Sequence, residues 1–391
     1  MDPLYIDYTH SIPRQQTKVH GGANYTKMLL ISILNYTESL KDRKKIIVLW
    51  PEGYSPSSEV ENKIYDNEHI EILHVKKNIC DIDFEPGATL FIPLLGIKEF
   101  HILKEIKEKK VNIIMTIHGL RLLDYKIDLY NLKYEIGFIG KIKALLLELA
   151  LPTKQLIYKY SLRKYSKYVD TIITVSNYTL SRLTKFCHIK DILLQFQGTY
   201  LMANLKKNDK KDENYILFVS GNRCEKNLAR SIVAYKQCVD NFDYKTPLYV
   251  VGTSKKTRDA LSKSLKLKDL INQQYIVFFD YVDDDKLAAF YQNASFLLYT
   301  SKSEGFGLPA LEAAKFGCPV VAAYGTSIPE VLGTSCIYVN PYSMESIKNG
   351  IIKMSREKKH YKSITEETYY KLIPRIQDSN KAVIKKLFET I

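Results

Sequence analysis

Between residues 4 and 196, short apolar runs rich in Ile, Val and Tyr alternate with longer amphipathic segments, and after residue 214 the alternation starts again. The runs LYIDYTH, KKIIVLW, IEILHV, ATLFIPL, VNIIMTI, DTIITVS and DILLQF predict strands in the first half. YILFVSG, PLYVVG, YIVFFD, SFLLYT, PVVAA and CIYVN predict strands in the second. Strands linked through helices pair in parallel, because a parallel neighbour needs a long crossover and an antiparallel one does not. The pattern therefore specifies an α/β chain of two doubly wound parallel sheets in tandem. A chain of 391 residues also exceeds what one hydrophobic core serves.

Several classes are excluded early. Hydrophobic residues make up 46% and charged residues 26% of the chain, which are globular proportions. The start, MDPLYIDYTH, carries Asp2 and Asp7 where an export signal needs positive charge and then an apolar run, so a cytoplasmic protein is expected. Six cysteines show no C-x-x-C pair, which argues for reduced thiols rather than a zinc site or a disulfide framework. The longest apolar stretch, IKALLLELALP, is interrupted by Lys143 and Glu148 and is too short to span a bilayer. The formal net charge of +14 favours anionic partners: nucleic acid, membrane lipid or phosphorylated small molecules.

Within that basic chain, SKSEGFGLPALEAAKFGCPVV places Glu304 and Glu312 on either side of a Gly-Phe-Gly-Leu-Pro turn. The strand around Leu297 and Leu298 ends near Thr300, and Pro309 suits the first turn of a helix, where its missing N–H costs nothing. Ligands of open α/β sheets bind beyond the C-terminal ends of strands. Gly305 and Gly307 allow close approach of backbone to a ligand, and a helix start attracts phosphate. Carboxylates accept hydrogen bonds in pairs and so suit vicinal hydroxyls. Two carboxylates flanking a phosphate cradle match a ligand with hydroxyls at both ends and phosphate between, as in a nucleotide-sugar. The same two glutamates would also favour the positive end of a helix without any ligand.

The stretch EGFGLPALEAAKFGCPVVAA resembles the Glu-x7-Glu signature of retaining glycosyltransferases of the GT-B fold, in particular glycosyltransferase family 4. GTSIPEVLG and YVNPYS resemble that family's continuation. The resemblance implies two Rossmann-like domains facing each other across a cleft: an acceptor-binding domain over 1–205 and a donor-binding domain over 206–370. A C-terminal helix over 371–391 would extend the second or cross back to the first. The boundary itself is expected near 203–214, in the polar stretch LMANLKKNDKKDEN.

By the same resemblance, Glu304 contacts hydroxyls of the donor sugar and Glu312 holds the ribose. The backbone of Phe306, Gly307 and Leu308 faces sugar and diphosphate. In FVSGNRCEKNL, Arg223 and Lys226 at a strand-to-helix turn would neutralise charge on the departing diphosphate. His118, directly after VNIIMTI, would meet the donor sugar near the reacting centre, although a lone histidine is more often structural. Gly22, at the start of a helix with Leu29, Ile33 and Tyr36 on one face, would lie near the diphosphate. The backbone of Tyr281 and Val282 would line the base pocket. The neighbouring Asp283, Asp284 and Asp285 read as a helix cap rather than a metal site.

The expected reaction moves a hexose from a UDP- or GDP-sugar to a hydroxyl of a glycan or lipid-linked acceptor, with retention, without metal or other cofactor, in surface polysaccharide or glycolipid assembly. Between Lys141 and Lys167 seven basic residues face Glu148 alone, interleaved with Leu, Ile and Tyr. Such a segment suits an anionic membrane surface, and equally a solvated helix face. No nucleic-acid module is recognisable. The alternatives are a nucleotide-sugar epimerase of the same fold and a non-catalytic protein that binds nucleic acid or membrane by charge.

Overall fold

The structure, a computed structural model, describes residues 2–11, 21–38, 45–76, 79–187, 190–198 and 214–389. The expected domain boundary at 203–214 lies outside the described residues, except for Asn214. Each of the apolar runs contains a strand. The first sheet comprises β1 (Leu4–Asp7), β2 (Ile46–Pro51), β3 (Ile70–Val75), β4 (Thr89–Ile92), β5 (Asn112–Ile117), β6 (Thr171–Thr174) and β7 (Asp191–Leu194). The second comprises β8 (Ile216–Val219), β9 (Leu248–Val251), β10 (Ile276–Phe278), β11 (Phe296–Tyr299), β12 (Val320–Ala323) and β13 (Ile337–Val339).

The spatial orders are β3-β2-β1-β4-β5-β6-β7 and β10-β9-β8-β11-β12-β13, and every pairing is parallel. The order reverses at β1/β4 in one sheet and at β8/β11 in the other. The loops leaving adjacent strands at such a point diverge to opposite faces and open a crevice between them. All four residues of β8, of β11 and of β12 are buried, as expected for strands covered on both faces. Phe218, Phe296 and Leu298 pack there with Ile232 and Tyr235 of the helix Leu228–Phe242 and with Ile347, Ile351 and Met354 of the C-terminal helix.

The chain divides into two compact units, and neither is contiguous in sequence. The first holds Met1–Leu120, Leu156–Tyr200 and Pro374–Ile391; the second holds Arg121–Gln155 and Leu201–Ile373. Residues 121–155, expected with the first sheet, thus belong with the second. The reason is specific pairing: the guanidinium of Arg230 meets the carboxylate of Asp128 at 2.8 Å, and the hydroxyl of Tyr134 accepts from the Ala229 N–H at 3.0 Å. The helix Met344–Glu389 changes unit at Pro374, which cannot donate the usual backbone bond. Beyond it, Ser379 Oγ accepts from the Phe196 N–H at 3.0 Å and Asn380 Oδ1 accepts from Gln195 at 2.8 Å, tying this part of the helix to the segment after β7.

Gly350 packs the C-terminal helix closely on the second sheet. A Cβ there would lie 2.5 Å from Val339 Cγ1 and 3.0 Å from Val321 Cγ1. Both are stiff branched side chains in the sheet, so neither can yield. Gly350→Ala is expected to lower stability by about 1–3 kcal/mol through overpacking, read as a lower urea midpoint.

Candidate active site

Two loops leave the C-terminal ends of β8 and β11 at the switch point of the second sheet, and the backbone of each is forced into shapes that few residues adopt. After β8, Ser220 has φ 63°. Gly221 follows, where a Cβ would sit 2.8 Å from Leu228 Cδ2. A 3₁₀ turn, Cys224–Lys226, then leads to Asn227 at φ 69°. The Asn227 amide donates to the carbonyls of Thr300 at 3.2 Å and Pro341 at 2.6 Å, fastening this loop to the end of β11. The Lys302 N–H donates to the Glu225 carbonyl at 2.8 Å, a second tie between the loops.

The ties bring Lys226 and Glu304 together. Their side chains meet at 2.5 Å and are respectively 5% and 12% exposed, so the pair is withdrawn from water. Burial alone would raise the Glu304 carboxyl, but the Lys226 ammonium outweighs it and holds the carboxyl below its ordinary range. The Glu304 N–H donates to Thr326 Oγ1 at 3.2 Å, and Ser327 Oγ donates to the carbonyls of Glu304 at 3.1 Å and Phe306 at 2.8 Å. These bonds fix the loop that carries Gly305 and Phe306. Gly307, at φ 110°, starts the helix Leu308–Lys315 with no side-chain cap. Only glycine adopts that φ without strain, and the space around it is not crowded, so the requirement is conformational.

Glu312 faces the same region one turn into this helix and is buried. Burial pushes its carboxyl up to about 7; the Tyr291 hydroxyl, donating to it at 2.9 Å, offsets only part of the shift. Tyr281 and Val282 precede the helix Asp284–Asn293, whose cap is Asp283: its carboxylate accepts from the Lys286 N–H at 2.8 Å. The charges of Asp284, Asp283 and Glu312 all act on the half-exposed Tyr281 hydroxyl, so this segment adjoins Glu312. Arg223 is half exposed, with Nε 3.7 Å from the Glu225 carboxylate. The second unit therefore carries Arg223 and Lys226 after β8 and Glu304, Gly305, Phe306, Gly307, Leu308 and Glu312 after β11, while Tyr281 and Val282 lie after β10, with Tyr281 near Glu312.

His118 and Gly22 belong to the first unit. His118 Nε2 donates to the Pro93 carbonyl at 2.8 Å, which fixes its proton there, and its ring meets Tyr25 edge-on at 4.7 Å. Gly22 lies in the first turn of the helix Gly21–Glu38, where its carbonyl accepts from Thr26 Oγ1 at 3.1 Å. Among the described residues no group of three or more His, Cys, Asp or Glu is placed to hold a metal ion.

Sequence reasoning missed the contribution of residues 121–134. Arg121 reaches Glu225 at 2.6 Å, Asp124 accepts from Ser303 Oγ at 3.2 Å, and Asp128 pairs with both Arg230 and Lys302. The only local signal is the pair of carboxylates in GLRLLDYKIDLYN, and nothing in that pattern names cations a hundred residues away as partners.

The arrangement offers two carboxylate acceptors, two cations and a bare helix start at one switch point. Residues 203–371 match the family model described as glycosyl transferases group 1. The chain is 29% identical over 184 residues to O-antigen chain mannosyltransferase B of Escherichia coli, covering 46% of this chain and 48% of that protein. It is 26% identical over 172 residues to the serotype-specific mannosyltransferase WbdA of Escherichia coli, covering 44% of this chain and 20% of that protein. The matched part thus spans half or less of these relatives. Sucrose-phosphate synthase from Thermosynechococcus elongatus superposes with a TM-score of 0.65 at 14% identity, over 100% of this chain and 98% of that one. The fold is the GT-B glycosyltransferase fold. The described residues that match the group 1 glycosyltransferase model belong to its second unit.

The Glu312 carboxyl yields a prediction about this domain. An unfolded glutamate ionises near 4.5, so a folded value of about 7 makes the native state hold its proton more tightly. That burial is harmless below pH 4.5 and costs increasing stability as pH rises through 7. Glu312→Gln removes the cost, so its melting temperature should exceed wild type at pH 8 and converge with it near pH 5. A gap independent of pH would sink the assignment.

Proposed function

We propose that the chain is a retaining hexosyltransferase that takes its sugar from a UDP- or GDP-sugar and delivers it to a hydroxyl of a glycan or lipid-linked acceptor in polysaccharide assembly. Mannose is the leading candidate, because the relatives are named as mannosyltransferases. The observation that carries the reading is the buried Lys226–Glu304 pair at the β8/β11 switch point with Glu312 on the following helix.

In this reading Glu312 accepts from the ribose hydroxyls and Glu304 from hydroxyls of the donor sugar. Arg223, Lys226 and the helix start at Leu308 hold the diphosphate and stabilise its charge as the glycosidic bond breaks. The acceptor oxygen bonds the anomeric carbon from the face the phosphate leaves, and its proton passes to the departing phosphate oxygen. His118 and Gly22 belong to the first unit and are assigned no step in this reading. No metal is assigned a step.

The acceptor class draws on the helix Gly137–Leu149, which has no buried residue. At about 3.6 residues per turn, Phe138, Ile139, Ile142, Leu146 and Leu149 fall on one face, with Lys141 and Lys143 on its flanks. Phe138 is 78% and Ile139 83% exposed. The opposite side is occupied: Glu148 accepts from the Asp128 N–H at 2.8 Å and from the Asn131 amide at 2.6 Å. An apolar face edged by lysines suits the boundary of an anionic bilayer, where the stems pack on lipid and the ammonium groups reach phosphate. The basic stretch expected over 141–167 is two helices, Gly137–Leu149 and Leu151–Ser166. No described helix is long and apolar enough to cross a membrane.

Titration of the purified chain with GDP, UDP, GDP-mannose and UDP-glucose should raise the melting temperature saturably for one nucleotide, and Glu312→Ala should weaken the shift by at least about tenfold in concentration. Conversion of a sugar nucleotide without any acceptor, with epimerised product, would favour an epimerase. No shift with any of the four, together with steeply salt-dependent nucleic-acid binding, would favour the charge-driven binder.

Membrane association has its own measurement. The chain should sediment with phosphatidylglycerol vesicles and not with pure phosphatidylcholine. The double substitution Phe138→Glu, Ile139→Glu should abolish sedimentation; unaltered sedimentation would remove this helix from the proposal.

A further inference from the structure

Lys302 stands two residues before Glu304, yet it is only 8% exposed. Its ammonium donates to Asp128 Oδ2 at 3.0 Å and to Asn131 Oδ1 at 2.9 Å. Asp128 is itself buried and is gripped from the other side by Arg230, whose two terminal nitrogens donate to its two oxygens at 3.0 and 2.8 Å. Two buried cations on one carboxylate are a poor device for stability, since an apolar side chain of similar volume at 302 would avoid the desolvation altogether. What the arrangement supplies is geometry. The Lys302 backbone is tied to Glu225, its side chain to Asp128 and Asn131, and Ser303 Oγ donates to Asp124 Oδ2 at 3.2 Å. Within the segment between β11 and Glu304, the Lys302 side chain and Ser303 are thereby held by Asp124, Asp128 and Asn131, which lie outside the donor-site loops. Asp128 is in turn fixed through its own N–H by Glu148. Burial opposes ionisation of Asp128, and Arg230 and Lys302 overcome it, drawing the carboxyl down to about 2, so the clamp stays charged throughout the neutral range.

We propose that Lys302 is a positioning residue: clamped by Asp128 and Asn131, it sets the Glu304 carboxylate at the sugar end of the donor site without touching the donor. The inference rests on the reading of that site as a nucleotide-sugar site. It separates the two ends of the site, because Glu312 sits on the next helix and none of these bonds reaches it.

The test uses the full chain with Lys302→Met, which removes the ammonium at similar volume and leaves Asp128 paired with Arg230. Two quantities are measured: affinity for GDP and UDP, and acceptor-free release of the nucleoside diphosphate from GDP-mannose and UDP-glucose. The expected result is nucleotide affinity within about threefold of wild type and a release rate at least about tenfold lower. Lys302→Arg should recover part of the rate. Asn131→Ala, which removes one acceptor and no charge, should give a smaller fall of the same sign and keeps the test open if Lys302→Met does not fold. Wild-type release rates in both Lys302→Met and Asn131→Ala would overturn the proposal. So would a loss of nucleotide affinity and rate in equal proportion, which marks a merely structural residue. If the wild-type chain binds neither nucleotide, the reading of the site fails first and the positioning role with it.

Discussion

A buried ammonium facing a buried carboxylate is the constraint around which the second unit is built. Neither Lys226 nor Glu304 could stay ionised in that position alone, because removing a single charge from water costs several kcal/mol that only a close partner offsets. They arrive from opposite loops, one after β8 and one after β11, and meet only because the sheet order reverses between those strands. The left-handed Asn227, the Gly221 packed on Leu228 and the Ser327 bonds to the Glu304 and Phe306 carbonyls all follow from the need to hold the two loops at this distance.

Much of this could be read from residue order. Parallel strands covered on both faces leave continuous Ile, Val and Leu runs, and those runs are where the strands lie. The turn at Gly307 and the helix with Pro309 in its first turn are local events, set by residues adjacent in sequence, and so was the cap at Asp283. The two glutamates stood out because their spacing around that turn is also local.

What could not be read is equally physical. Asp128 looks like any aspartate in a surface segment, and Arg230 and Lys302 look like surface cations; only the folded chain shows that all three are buried together. The apolar character of residues 136–149 misleads in the opposite direction. A run of Ile, Phe and Leu ordinarily announces core, whereas here Phe138, Ile139, Leu146 and Leu149 lie on the surface. Composition gives the number of apolar side chains and says nothing about which of them find a partner within the same chain.

The interleaving of the two units has a consequence for how the chain can be taken apart. A fragment beginning at residue 214 would contain all six strands of the second sheet and both Glu304 and Glu312, and by sequence it would pass for a self-sufficient domain. It would nevertheless lack residues 121–155. Arg230 and Lys302 would then lose the carboxylate that lies between them, leaving two like charges beside the segment that leads to Glu304. The polypeptide that completes this domain is made before the domain's own first strand, so during synthesis the segment carrying Asp128 must wait, unpaired, until Arg230 and Lys302 have left the ribosome.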